Sequence, residues 1–132
     1  MNLYNTPMLP GPFDDSARAR QVRMGLLRSD GTPDQDAITV LSRAYAGLMF
    51  DDLCESSPDM ERVYIICDHF SELQVQGDER KTLLFICLQY DSMLRALPEP
   101  IWWIVGNPAL VKPFCEGFVR RLCEFRSESE VI

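Results

Sequence analysis

Residues 98–108 read Pro-Glu-Pro-Ile-Trp-Trp-Ile-Val-Gly-Asn-Pro, and the fold turns on how they are read. The five apolar residues 101–105 lie between a Pro-Glu-Pro break and a Gly-Asn-Pro break. A run this short between breakers predicts a strand rather than a helix. Successive side chains of a strand point to opposite faces, so Trp102 and Trp103 would each need a cover. A central strand with helices on both sides meets that need.

Upstream, Val63-Tyr64-Ile65-Ile66-Cys67 is apolar at odd and even positions alike. That pattern predicts a second strand buried on both faces, with a helix over 61–70 as the alternative. Between the two, residues 78–97 predict a helix through Leu83, Ile86, Tyr90, Met93 and Leu97, with a strand at 83–88 competing. Downstream, Asn107 and Pro108 open a last helix that restarts at Pro113 and buries Phe114, Phe118, Leu122 and Phe125.

Earlier in the chain, Thr32 as N-cap, Pro33 at the first helical position and Gln35 form a capping box. The helix they start buries Ile38, Leu41, Ala44 or Tyr45, Leu48 and Leu53, and ends near Cys54. A shorter helix is expected over 14–28. The order strand, helix, strand, helix predicts an α/β fold: a small, mainly parallel sheet with helices on both faces and a helical N-terminal part. An all-α helical bundle is the alternative. The expected organisation is a flexible arm at 1–13, one globular domain at 14–126 and a disordered tail at 127–132.

The order from residue 38 to 125 resembles the Sec14-like, or CRAL-TRIO, fold and its BCH scaffold relatives. The matching pieces are residues 63–68, Pro98-Glu99-Pro100, residues 101–105, Gly106-Asn107-Pro108 and Val111-Lys112-Pro113-Phe114. The resemblance implies a lipid-carrying or scaffolding role. The family's N-terminal helical lobe and much of its lipid-pocket wall have no counterpart in these residues.

Charge narrows the partners. The net charge is −7 over 132 residues. Residues 30–61 hold eight acids against Arg43 alone, so that segment accounts for the whole excess. Arg18, Arg20, Arg23 and Arg28 fall in 16–28, which has no acid. An acidic total repels phosphate, so nucleic acid is not the expected partner. A protein with a basic surface is, or a second copy in which the arginines meet the acidic segment. The longest apolar runs are far short of the roughly 20 residues that cross a bilayer, so no membrane span is expected. Five scattered cysteines and no apolar leader predict a soluble, unexported protein, cytoplasmic or nuclear.

Candidate chemistry is sparse. The strand model puts Asp68 and His69 at one strand's carboxyl end and Asn107 just after the other, where they would line a ligand crevice. Cys67 beside His69 is the nearest approach to a nucleophile and base. The sequence has no Cys-x-x-Cys pair and no glycine cluster after either strand. No metal and no cofactor are expected. Candidate interface residues are Arg18, Arg20, Arg23, Asp34, Asp51, Asp52, Trp102 and Trp103. Together these features predict a non-catalytic interaction or regulatory domain. A carrier of a small apolar ligand and a small Cys/His-dependent enzyme are the alternatives.

Overall fold

A helix that starts on an aspartate cap recurs three times among the described residues, and the recurrence organises the structure. The computed structural model describes residues 24–57 and 59–130. Among them α1 spans Gln35–Ser56, α2 Met60–Gln76, α3 Glu79–Ser92, α4 Glu99–Val105 and α5 Pro108–Glu130. Asp34, Asp59 and Asp78 cap α1, α2 and α3, each carboxylate accepting a first-turn backbone N–H at 3.0–3.2 Å. Each cap satisfies an amide that the helix itself leaves open, and its charge suits the positive helix end.

The described residues contain no strand, only one isolated bridge between Leu27 and Pro33. The expected parallel sheet is therefore absent, and the fold is all-helical. The error at 63–67 has a clear cause. Val63, Cys67, Phe70 and Leu73 are buried at spacings of four and three, while Ile65 is exposed. The apolar pentapeptide is the middle of a 17-residue helix whose inner face has helical period. Gly77, at φ 72°, ends it in the left-handed conformation that glycine adopts without penalty.

The error at 101–105 comes from the prolines. Pro98 and Pro100 flank the first residue of α4, where a missing N–H costs nothing and a fixed φ favours the turn. They start a helix rather than isolate a strand. Adjacent residues on a helix lie about 100° apart, so the two tryptophans part company. Trp103 is 4% exposed and Trp102 39%. Ile101 and Ile104 join Trp103 in facing inward.

Smaller differences follow the same logic. Asp34 rather than Thr32 caps α1, because Thr32 is held in a tight turn, its N–H and hydroxyl both donating to Asp30. Residues 24–28 form no helix. Leu26 and Leu27 are buried there, and the Asp34 N–H donates to the Leu26 carbonyl at 2.9 Å. α3 stops at Ser92 instead of Leu97. α5 runs unbroken through Pro113 and on through 127–130, where a tail was expected. The expected arm at 1–13, and 14–23 of the first helix, lie outside the described residues.

α5 is the hub. It packs most extensively on α1 and also contacts α2, α3 and α4. Leu110, Phe114, Phe118 and Leu122 are its fully buried stripe. Phe118 lies 5.8 Å from Phe114 and 5.7 Å from Phe70, centroid to centroid, and Phe70 lies 4.6 Å from Phe85. At Gly117 the backbones of α1 and α5 come close. A Cβ there would overlap Ser42 Oγ and lie 3.2 Å from Ser42 Cβ. Across the edge of the bundle, Arg126 of α5 donates to both Asp68 oxygens at 2.8 and 3.2 Å and sits over Tyr64.

Two positions in this frame invite substitution. Leu94, just past α3, sits at φ 57°, while the Arg95 N–H reaches back to the Tyr90 carbonyl at 2.8 Å. This is the helix-ending geometry that favours glycine, and a left-handed leucine costs about 1–2 kcal/mol. The side chain is 94% exposed. Leu94→Gly should therefore stabilise the fold by roughly 0.5–1 kcal/mol. A lower thermal midpoint in that variant would contradict this account.

The second is Tyr90. Its hydroxyl is buried with no hydrogen-bond partner among the described residues. Burial, then Asp52 and Tyr45, pushes its pKa up to about 12. Removing an unsatisfied hydroxyl lifts a desolvation penalty, so Tyr90→Phe should be neutral or stabilising by up to about 1 kcal/mol. Urea unfolding checks this, and a clear loss of stability would show that the hydroxyl makes a needed bond.

Candidate interaction surface

The residues expected to form a ligand rim do not converge. Asp68 and His69 lie in the middle of α2, and Asp68 is engaged by Arg126 near the far end of α5. Asn107 precedes α5 and accepts the Ala109 N–H at 3.1 Å. The 19 residues between Asn107 and Arg126 put these groups about 28 Å apart along the helix. The rim needed strand ends, and the sheet that would have supplied them is not there. Asp68 ties two helices together, and Asn107 helps to start one.

His69 is half-exposed, 3.7 Å from Glu72, with its ring edge-on to Phe85 at 4.5 Å. Cys67, two residues earlier, is fully buried, and desolvation pushes its thiol up to about 12. Residues two apart on a helix point nearly opposite ways. Cys67 and His69 therefore cannot act as nucleophile and base. Cys115 is likewise buried and raised to about 12. No group of three metal-ligating side chains gathers among the described residues.

A cleft of about 170 Å³ lies where the end of α1, the start of α2 and the end of α3 meet. Leu53, Ile66 and Met93 share its wall with Ser56, Ser57, Arg62, Gln89 and Ser92. Ligand pockets usually measure about 300–1,000 Å³ and are mostly apolar. This cleft is too small and too polar to suit a lipid cargo.

The notable surface is the outward side of α1. Val40, Ala44 and Leu48 recur every four residues and are exposed, Val40 at 69% and Leu48 at 54%. Asp36 lies before them, and Asp51 and Glu55 after them, all exposed. Asp36 and Asp51 have no ion-pair partner among the described residues, whereas Arg95 reaches Asp52 at 3.6 Å and Glu55 at 3.7 Å. Arg43, the only base on α1, is drawn away to Glu124 at 3.3 Å. An apolar stripe with acids at both ends is thus left uncovered by the described residues.

Sequence reading placed Leu48, and Ala44 or Tyr45, on the buried side; Tyr45 does pack partly against the core. The helix instead buries Ile38, Ser42, Ala46, Met49, Phe50 and Leu53. α1 has apolar residues on most of its circumference, so period alone leaves two candidate faces. Gly117 of α5 lies against Ser42 on the face that is buried, Ala46 is buried on the same side, and Leu48 is turned out. Ile65 of α2 and Leu84 and Leu88 of α3 are also exposed.

Of the expected interface residues, Asp34 is occupied as a cap, Asp51 and Asp52 sit on α1, Trp102 is partly exposed and Trp103 is buried. Arg18, Arg20 and Arg23 lie outside the described residues. Comparison with family models, curated proteins and solved structures gives no match to this chain. The two strands that carried the Sec14-like resemblance are helices. No described helix is long and apolar enough to cross a membrane.

Proposed function

We propose that the protein is a non-catalytic interaction domain whose α1 outward face receives a basic, apolar-studded segment of another protein. The observation that carries this reading is the exposed Val40-Ala44-Leu48 stripe set between Asp36 and Asp51, which have no ion-pair partner among the described residues. Exposed apolar side chains at i, i+4 and i+8 match the anchors of an amphipathic helix laid alongside. The acids at either end favour arginine or lysine on that helix, and they fix its register and speed its arrival more than they add affinity. Burying two large aliphatic side chains contributes a few kcal/mol at about 25 cal/mol per Å². That magnitude suits a transient, regulatory contact.

A synthetic amphipathic peptide, with leucines every four residues and arginines at both ends, serves as the probe. Titration calorimetry should show saturable binding that weakens as salt rises. Leu48→Asp puts a charge in the centre of the stripe and should abolish the binding. Because Leu48 is already exposed, the variant should keep its unfolding free energy within about 0.5 kcal/mol of wild type. Undiminished binding by Leu48→Asp would remove this face from consideration.

A further inference from the structure

The N-terminal end of α1, where its acidic face begins, lies next to the point where the N-terminal residues join the described fold. Leu26 and Leu27 are buried, and the Leu26 carbonyl accepts the N–H of Asp34, the cap of α1. Residue 24 is therefore held close to the N-terminal end of that helix, and 23 residues precede it. Within them, residues 16–23 read Ser-Ala-Arg-Ala-Arg-Gln-Val-Arg, with three arginines, three small or β-branched apolar residues and no acid.

We propose that residues 16–23 dock in cis on the outward face of α1 and compete there with the basic partner segment. This rests on the reading of that face as a docking surface. The lengths agree. From Asp36 to Asp51 is 15 residues of helix, about 22 Å at 1.5 Å per residue. From Arg23 back to Arg18 the chain contour reaches up to about 17 Å, and an arginine side chain spans the remainder. Arg23, one residue from the tether, falls at Asp36, and Arg18 falls towards Asp51. Val22 and the two alanines then lie over Val40, Ala44 and Leu48.

The short tether favours the chain's own segment over a second copy, because it holds the arginines at a high effective concentration beside the acids. The individual ion pairs are weak and exposed, so the contact is one that a stronger ligand displaces. Occupied in this way, the face opens only to a segment that carries more charge or more apolar surface than residues 16–23. Such a device sets a threshold for binding.

Two measurements on the full chain test this. In the first, Arg18→Lys and Arg23→Lys variants are treated with a carbodiimide, which joins a lysine amine to a carboxylate as an amide with loss of water. Peptide mapping should find residue 18 joined to Asp51, Asp52 or Glu55 and residue 23 joined to Asp36. Equal mixtures of heavy- and light-isotope chains should give no mixed pairs. Joining to other acids, no joining at all, or mixed pairs that make a second copy the occupant would each overturn the proposal.

In the second, the leucine–arginine probe peptide is titrated into wild type and into the Arg18→Gln, Arg20→Gln, Arg23→Gln triple variant. Loss of the competitor should tighten binding about five- to tenfold, the sum expected of three weak pairs. Equal affinities would overturn the competition and leave the docking face standing. Failure of the probe to bind either chain would remove the docking face, and this inference with it.

Discussion

Phe118→Ala should lower the unfolding free energy by about 3–5 kcal/mol. Phe118 is fully buried at the midpoint of α5, with the Phe114 and Phe70 rings within 6 Å of it. Truncation removes the transfer energy of a ring, leaves a cavity beside Phe70 and Phe114 and forfeits the aromatic pairing. Domains of this size are stable by about 5–15 kcal/mol in all, so most of the margin is lost. Urea titration followed by far-ultraviolet circular dichroism measures the change. Phe118→Leu keeps most of the volume and should lose about 1–2 kcal/mol. Near-equal losses for the two variants would mean that the shape and pairing of the ring, rather than its bulk, hold this site together.

Gly117→Val should cost about 3 kcal/mol. The neighbouring α1 leaves no room at this position, since even a Cβ overlaps the Ser42 hydroxyl. Valine forces α1 and α5 apart along their most extensive contact, and overpacking of this kind costs roughly 1–3 kcal/mol, more where backbone must move. Gly117→Ala is the more informative change. Alanine gains close to 1 kcal/mol of helix propensity, and overlap with Ser42 offsets or exceeds it. Ser42 also donates to the Thr39 carbonyl at 2.9 Å, so turning its hydroxyl aside breaks a bond in a dry site. In a Ser42→Ala background the hydroxyl overlap is gone and only the 3.2 Å approach to the residue-42 Cβ remains, so Gly117→Ala should become close to neutral. The double-mutant cycle should therefore show coupling of about 1–3 kcal/mol. Additive effects would mean that the helices separate easily at this crossing.

These two residues also show how much of the molecule was legible before the structure. The start of the helix near residue 78 was legible, and the last helix was found from Asn107 and Pro108, whereas the caps Asp34 and Asp59 were not read as such. The stripe Phe114, Phe118 and Leu122 was found as well, because its spacing admits only one face. What failed was the assignment of short apolar runs. Residues 63–67 and 101–105 look like strands when each is taken alone, since five residues cannot establish a period. Their flanks decide the matter: the Asp59 cap and Phe70-x-x-Leu73 extend one into a long helix, and prolines in a first turn start the other. The interaction surface failed for a different reason. Of two apolar faces of α1, the buried one lies against a glycine some 75 residues away. No local pattern contains that information.

The tryptophans, one turned in and one turned out, give the molecule two independent optical reporters. Trp103 emits from a dry interior, so its spectrum should shift to the red only when the helices come apart. Trp102, facing solvent beside it, should be the one that a soluble quencher reaches in the folded chain. Single Trp→Phe replacements at each position would separate the signals. The first then follows global unfolding, and the second follows events at the surface that leave the interior undisturbed.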